Sequence, residues 1–317
     1  MERRNKSEEL SKDKAVQRPW MVDSFAEPSV HGRLLVDKVR TNRFREAIQR
    51  TVKTGDIVVD LGAGTGLLSF FAIQAGAKHV YAIERSLSSE MASALIAANG
   101  LQDRITLISR DSTETHLPEL CDVLVSETMS SFCFDYEDAI EYMADARERF
   151  LKPGGRLIPE SAETFLLPFS SDAFGVGSIP QPFHGLNYLP FRKKLFEGTF
   201  LVPASREPFR ELSTPSPCYT VDFRRDSHKP GRTFLPFRIT SDGRLDGFLG
   251  WFTAQLCDGV SISNSPYLPM TSWGQLCFST LEQPLVHAGQ SIVLELGLSP
   301  VGDDLQWSYS VKFLNPL

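Results

Sequence analysis

Residues Val58-Val59-Asp60-Leu61-Gly62-Ala63-Gly64-Thr65-Gly66 decide the fold of this chain. A short apolar run ends in an acid and a glycine-rich turn, and a helix-like segment follows from Leu67 to Gln74. This order predicts a strand, a tight loop and a helix. Glycines in such a loop let the backbone pass close to a ligand, and the helix N-terminus offers unpaired N–H groups to a polar or anionic group. The stretch therefore indicates a site for a nucleotide-type cofactor.

The glycine turn differs from two common nucleotide loops. It reads Gly-Ala-Gly-Thr-Gly, whereas dinucleotide loops read Gly-x-Gly-x-x-Gly and P-loops end in Gly-Lys-Ser/Thr. Glycine clusters are often plain turns, so the turn needs support from elsewhere in the chain. Glu84 supplies it, because this acid ends the next apolar run about 20 residues further on, where a ribose-binding carboxylate belongs.

Composition places the chain among ordinary globular proteins. It has 317 residues, of which 42% are hydrophobic and 23% charged, enough for two domains or one large one. A net charge of −6 argues against a general nucleic-acid surface, so we expect no direct nucleic-acid binding. No window approaches the roughly 20 apolar residues that a membrane span needs, and we expect no membrane contact. We expect residues 1–19, which are charged, to form a flexible tail.

Cysteine usage argues against a metal or disulfide framework. The chain has 5 cysteines without a Cys-x-x-Cys pair, and its 6 histidines are spread along the sequence. This pattern predicts no metal site, and the odd cysteine count fits a reducing compartment. We therefore expect the protein in the cytoplasm, with the nucleus possible if its source is eukaryotic.

Strands and helices alternate through the first half of the chain. The predicted elements are a helix from Ser29 to Ile48, strand Ile57–Asp60, helix Leu67–Gln74, strand Val80–Ile83, helix Ser88–Asn99, strand Ile105–Ile108, strand Val123–Val125 and helix Glu137–Phe150. Such alternation predicts a doubly wound parallel sheet, whose ligands bind at the carboxyl ends of the strands. The glycine turn, Glu84, Asp111 and Glu127 all follow strands, so we expect them to lie together.

The pattern of predicted secondary structure changes after Ile158. A turn at Pro153-Gly154-Gly155 and a short predicted strand, Arg156–Ile158, precede Pro159, where we place a domain boundary. Beyond it, short runs alternate with period two, which predicts a sandwich or barrel. The predicted fold class is thus α/β, a doubly wound Rossmann-like domain at 20–158 followed by an all-β barrel-like domain at 159–317. Residues 174–201 form either an arm that packs on a second subunit or a long surface loop.

Four segments resemble, in order, the protein arginine methyltransferase family, from about Trp20 to the C-terminus. They are Asp23-Ser24-Phe25 with His31, Asp37 and Arg40-Thr41; Val58–Gly66 with Glu84; Ser126-Glu127-Thr128-Met129; and Ser265-Pro266-Tyr267-Leu268-Pro269-Met270-Thr271-Ser272-Trp273. The resemblance implies a methyltransferase domain of Rossmann type, S-adenosylmethionine as cofactor and a homodimer. The last segment is similar to the loop that closes the family's substrate pocket.

The resemblance assigns cofactor roles that suit the chemistry of each residue. Arg40 suits the methionine carboxylate, because a guanidinium donates paired charge-assisted bonds. Glu84 suits the ribose hydroxyls, and Gly62 and Gly64 let the backbone approach the methionine portion. The remaining candidates at this site are His31, Asp60, and Asp111 or Glu114 for the adenine amino group.

Two glutamates, Glu127 and Glu137, resemble the family's acceptor clamp. A guanidinium is charged and its lone pairs are delocalised, so it is a poor nucleophile. Carboxylates on either side neutralise it, orient it and concentrate electron density on one nitrogen for in-line displacement. Met129 is retained in the same hairpin. The hairpin is longer than the family's and has Ser130 for a glycine, and Asp135 is an alternative second clamp.

The acceptor side departs from the family further. Ser272 stands in place of a histidine, so we expect the histidine–aspartate contact of Asp37 to be missing, although Trp273 is retained. An aromatic pair is reduced to Val22 and Phe25, and Leu34 replaces a methionine. Three hypotheses follow: an arginine N-methyltransferase acting on proteins or peptides, the same chemistry on free L-arginine, and a weakly active paralogue that binds or activates another subunit.

Overall fold

The protein is represented by a computed structural model, which describes residues 27–133, 139–174, 179–196, 198–228, 231–301 and 304–314. The predicted tail at 1–19 lies outside these residues. So do Glu137 and Asp135, the two candidates for the second clamp, and the family-like positions Val22 and Phe25.

Helices and strands follow in the order that the alternation predicts. The helices are α1 (Pro28–Val36), α2 (Lys38–Thr51), α3 (Leu67–Gln74), α4 (Ser88–Ala98), α5 (Ala139–Phe150) and α6 (Leu189–Phe196), with a 3₁₀ turn at Ser112–Glu114. The strands of the first half are β1 (Ile57–Leu61), β2 (His79–Ile83), β3 (Ile105–Ile108), β4 (Cys121–Ser126) and β5 (Leu151–Ile158). Those of the second half are β6 (Ser161–Ser170), β7 (Thr199–Val202), β8 (Arg210–Glu211), β9 (Ser216–Asp222), β10 (Thr233–Arg238), β11 (Gly243–Arg244), β12 (Gly247–Cys257), β13 (Val260–Ser263), β14 (Gln275–Ser279), β15 (Leu285–Val286), β16 (Ser291–Val301) and β17 (Asp304–Phe313).

The first five strands form one parallel sheet in the order β3-β2-β1-β4-β5. β1 is buried along its whole length, as a central strand of such a sheet should be. The strand order reverses at β1, which has β2 on one side and β4 on the other. Crevices open at such reversals outside the carboxyl ends of the strands, so the fold predicts a ligand site beyond Leu61.

The second half is built from antiparallel strands. A 7-stranded sheet contains the path β7-β14-β12-β6-β8, and a 3-stranded sheet has the order β10-β16-β17. On β17 the side chains alternate as predicted: Trp307, Tyr309 and Val311 pack on the core, while Ser308, Ser310 and Lys312 are exposed. The predicted fold class, a Rossmann-like sheet followed by an all-β half, is confirmed.

An aromatic contact anchors the hairpin after β4 to the antiparallel half. The Phe132 ring is fully buried and meets Phe278 and Trp307 edge to face, with ring centroids 5.4 Å apart in both pairs. Gly250 on β12 makes room for it, because a Cβ there would lie 2.9 Å from the Phe132 ring. The hairpin that begins at Glu127 is therefore held against β12 and β14.

The N-terminal helix differs from the prediction in two ways. It begins at Pro28, one residue before the predicted start at Ser29, since proline suits the first helical position. It also ends at Val36, and α2 begins at Lys38, where a single helix was predicted. Asp37 causes the break, because its backbone is extended and its side chain accepts from the Arg40 amide at 3.0 Å, which caps α2.

Two other segments also differ from their predicted form. The Pro153-Gly154-Gly155 turn lies inside β5 as an irregularity in its pairing with β4, so the strand begins at Leu151 rather than Arg156. Residues 174–201 contain α6 and the start of β7, so in its described part this segment is not the plain surface loop that was one of its two interpretations. No described helix is long and apolar enough to span a membrane.

Candidate functional site

A cavity of about 540 Å³ lies at the carboxyl ends of the parallel strands, against the antiparallel half. Most of the predicted site residues line it: His31, Arg40, Gly62, Gly64, Glu84, Asp111, Glu127, Met129, Ser272 and Trp273. Asp37, Asp60 and Glu114 do not line it, although the structure describes them. Ligands of doubly wound sheets bind at the carboxyl ends of the strands, and residues from every described segment predicted to form the site meet in this cavity.

The glycine turn is shaped by close approaches that only glycine allows. Gly62 has a φ of 73°, and a Cβ there would lie 2.6 Å from the Thr128 side chain. Gly64 has a φ of 55°, and its Cβ would lie 3.2 Å from the His31 ring. His31 is buried over the turn. The turn therefore presents bare backbone to the cavity.

Glu84 is buried at the end of β2 and fixes the turn from below. One carboxylate oxygen accepts from the Gly64 amide at 2.7 Å, and the other accepts from the Ser86 amide at 2.8 Å. A carboxylate has about four lone-pair sites, so each oxygen retains capacity for a further donor. Because Glu84 also lines the cavity, it can receive the two hydroxyls of a ribose diol while holding the loop.

Asp60 lies beneath the turn and is fully buried. Its Oδ2 accepts from the amide of Ser69 at 2.9 Å and from the Ser69 hydroxyl at 2.7 Å, which ties α3 to β1. Its Oδ1 has no hydrogen-bond partner among the described residues. Desolvation raises the pKa of Asp60 to about 6, and the hydrogen bonds from Ser69 oppose that shift. We read Asp60 as a support of the loop.

Arg40 and Glu127 form a buried ion pair inside the cavity. The Nε and Nη2 groups of Arg40 both donate to Oε2 of Glu127, and the two side chains are only 11% and 7% exposed. Burial lowers the pKa of Arg40 to about 10, against the opposing effect of the Asp37 and Asp60 carboxylates, so it stays protonated at neutral pH. This pairing was not predicted, because nothing local in the sequence links residues that are 87 positions apart.

Asp37 links the N-terminal helices to the loop at Ser272 through a backbone contact, in place of the histidine–aspartate contact expected to be missing. Its Oδ2 accepts from the backbone amide of Ser272 at 2.6 Å, while Oδ1 caps α2. The backbone provides the donor, so the contact does not need a histidine side chain. The neighbouring Trp273 indole donates to the Met129 carbonyl at 2.8 Å. Helix, loop and hairpin are thus joined around Glu127.

Charged side chains also line the opposite end of the cavity. Asp111 accepts from the amide and hydroxyl of Thr113, at 2.9 and 2.7 Å, and lies 3.4 Å from Arg85. Arg85 also donates to the Tyr142 hydroxyl at 3.0 Å. Glu114 is exposed on the 3₁₀ turn, so Asp111 is the better placed of the two candidates for an adenine amino group. Arg85 and Tyr142 were not anticipated, because single residues outside motifs give no signal.

No group of three or more metal-ligating side chains occurs among residues 27–133, 139–174, 179–196, 198–228, 231–301 and 304–314. The lining of the cavity contains carboxylates, guanidinium groups, backbone amides and apolar side chains. A glycine turn with a ribose-type carboxylate at one end and a buried carboxylate that holds a guanidinium at the other suits a cofactor and a cationic acceptor side by side.

Comparisons with known proteins agree with this geometry. Residues 41–160 match the sequence model of ribosomal protein L11 methyltransferase (PrmA). The chain is 36% identical over 286 residues to a probable histone-arginine methyltransferase CARM1 of Oryza sativa subsp. indica. This alignment covers 84% of this chain and 53% of that protein. It is 31% identical over 285 residues to protein arginine N-methyltransferase 1 of Schizosaccharomyces pombe, covering 86% and 82%. The chain thus spans about half the length of the rice protein.

Two solved structures share the fold. The Trypanosoma brucei PRMT1 enzyme-prozyme heterotetrameric complex with AdoHcy aligns with a TM-score of 0.81 and 24% identity, over 92% of this chain and 96% of that one. Arabidopsis thaliana protein arginine methyltransferase 10 aligns with a TM-score of 0.75 and 22% identity, over 93% and 100%. At these identities the likeness concerns the fold.

Replacing Asp60 by asparagine should flatten the pH dependence of stability. The pKa of Asp60 is about 6 in the fold and 3.8 in its usual state, so its contribution is fully present below 3.8 and is lost as the pH rises through 6. That difference corresponds to roughly 3 kcal/mol. Urea unfolding of both proteins at about pH 4 and about pH 7 measures it.

Asp258→Asn, in the exposed turn after β12, is the matched control and should parallel the unmodified protein at both pH values. An equal stability gap between the Asp60→Asn variant and the unmodified protein at the two pH values would contradict the raised pKa.

Proposed function

Because this chain belongs to the protein arginine methyltransferase family, we propose that it transfers a methyl group from S-adenosylmethionine to a guanidinium nitrogen of arginine in a protein or peptide. The observation that carries the proposal is the single cavity in which the glycine turn and Glu84 lie at one end and the Arg40–Glu127 pair lies beside the Trp273 loop. The proposed cofactor and acceptor sites are therefore neighbouring parts of one cavity.

The residues of the cavity suit S-adenosylmethionine, which supplies an electrophilic methyl group when bound. Glu84 accepts the ribose hydroxyls with the lone pairs that its backbone contacts leave free. Gly62 and Gly64 leave no side chain between the backbone and the methionine portion. Arg40 holds the carboxylate, since a guanidinium binds that group with paired charge-assisted bonds. These roles are supported by the position of each residue in the cavity lining.

Glu127 binds and orients the acceptor. Its carboxylate already accepts from the Arg40 guanidinium in this buried position, which supports its ability to hold a guanidinium there. Fixing one nitrogen toward the methyl group favours in-line displacement. The N–C bond would form as the C–S bond breaks, S-adenosylhomocysteine would leave as a neutral thioether, and the methylated nitrogen would then lose one proton. Glu137, outside the described residues, stays a prediction as the second clamp.

Radiolabelled S-adenosylmethionine, offered with an arginine peptide, with free L-arginine or with cell extract, tests the proposal. We expect label on the peptide, and a loss of at least about 100-fold in kcat for Glu127→Gln, the order of magnitude for removing an electrostatic contact in a transition state. Cofactor affinity should change little in that variant, because the substitution leaves Arg40, Glu84 and the glycine turn in place.

Arg40→Lys is the contrasting variant and should weaken cofactor binding, because lysine cannot donate the paired bonds. If only free L-arginine were labelled, the substrate would be the free amino acid and not a protein or peptide. Cofactor binding without label on any acceptor would indicate the regulatory paralogue instead.

The Asp37 contact supports activity despite Ser272. The donor is the Ser272 amide, so we expect Ser272→Ala to keep the acceptor KM within about twofold, since the change leaves this hydrogen bond intact. Asp37→Ala removes both the helix cap and the loop contact and should raise the acceptor KM about tenfold or more. Steady-state kinetics on the same peptide compare them. If Ser272→Ala raised the acceptor KM tenfold as well, the serine hydroxyl would matter.

We also propose that the chain forms a homodimer through the segment before and within α6. Apolar side chains there are unusually exposed: Leu186 by 61%, Leu189 by 40% and Phe191 by 52%. Large apolar side chains exposed close together in the chain suit an interaction site. Light scattering should give the mass of two chains, and Phe191→Asp should shift it toward one. A monomeric unmodified protein would remove the proposal.

A further inference from the structure

The wall of the cavity beside Glu127 contains an open strand edge. We propose that the acceptor is an extended peptide segment that pairs with the free edge of β7 and places an apolar side chain next to its arginine against Leu201. This inference rests on the proposed function, because it names the class of acceptor for the same cavity.

β7 is the end strand of its sheet. It pairs with β14 in antiparallel register, with Leu201 opposite Leu276 and Thr199 opposite Phe278, and with no other described strand. The other edge of such a strand carries unpaired N–H and C=O groups, which can hydrogen-bond to an added extended segment. On the cavity-facing side of this strand, the Leu201 side chain is 59% exposed.

The two faces of β7 have different surroundings. Phe200 and Val202 pack into a small core with Phe169 and Leu249. Thr199 and Leu201, on the opposite face, line the cavity that contains Glu127. Because one face is fixed by burial, the register of the strand is fixed as well, and Thr199 and Leu201 are held toward the cavity.

The edge of β7 lacks the usual protection against pairing. Its sequence Thr199-Phe200-Leu201-Val202 contains no charge and no proline, the residues that commonly block exposed edges. Two further leucines line the same cavity: Leu276, opposite Leu201 on β14, and Leu35 of α1, which is 42% exposed. An open apolar edge beside a reaction cavity suits a peptide that is bound transiently.

Charge distinguishes a peptide from the free amino acid at this wall. The described cations that line the cavity are Arg40, paired with Glu127, and Arg85 and Arg110, which lie by Asp111 at the other end. Free L-arginine carries a carboxylate and an ammonium, and the described β7 wall offers leucines and hydroxyls in their place. A peptide has neutral amides at those positions, which match the strand edge.

Binding measured without turnover tests this inference separately from the proposed function. Fluorescently labelled arginine peptides are titrated against the full chain in excess S-adenosylhomocysteine, with leucine or glycine beside the arginine. We expect the leucine peptide to bind about tenfold more tightly, the order expected for burying one leucine side chain. Leu201→Asp should abolish that preference, and N-methylation of the peptide amides beside the arginine should weaken binding to the unmodified protein.

Leu285→Asp is the matched control, because Leu285 is 69% exposed on β15 and lies outside the cavity. Preference for leucine that survives Leu201→Asp, indifference to N-methylation, or no peptide binding would each overturn the inference. So would a Leu201→Asp variant whose mass halves in light scattering, since the edge would then belong to a contact between copies. Leu201-dependent peptide binding without methyl transfer would keep the inference and refute the proposed function.

Discussion

The reversal of strand order at β1 is the constraint on which the site depends. With β2 on one side and β4 on the other, the connections leave in opposite directions and open a crevice beyond Leu61. The glycine turn, Glu84 and Glu127 each follow one of these three strands, so the topology alone gathers them. Asp60 and Ser69 then secure the turn from inside, in a place that a ligand does not need to reach.

The Arg40–Glu127 pair shows what this crevice does to charge. Each partner is almost completely buried, and an isolated charge in such a place costs several kcal/mol. The site therefore keeps a guanidinium and a carboxylate only because each compensates the other. Any ligand that enters must offer the same chemistry, a carboxylate for Arg40 or a guanidinium for Glu127. The electrostatics thus favour the two ligand groups that the proposed reaction brings together.

Much of the first half could be predicted from the sequence, because hydrophobic periodicity and the strand-end rule act locally and then topologically. These two signals correctly predicted the bounds of α3 and the positions of Glu84 and Glu127 directly after strands. The break at Asp37 was not predicted. The helix was inferred from the spacing of its apolar residues, and that pattern does not reveal an aspartate that caps a second helix. The Arg40–Glu127 contact joins residues 87 positions apart and has no signature in either neighbourhood.

A backbone donor explains the difference between sequence and structure at Ser272. The departure at Ser272 suggested a lost contact, yet every residue except proline carries an amide, and the Ser272 amide meets Asp37 at 2.6 Å. The free edge of β7 is another set of backbone groups that no side-chain pattern reveals. A side-chain substitution therefore weakens a functional assignment only when the lost contact belonged to the side chain. By that criterion Ser272 does not argue for an inactive paralogue, because the link between helix and loop survives it.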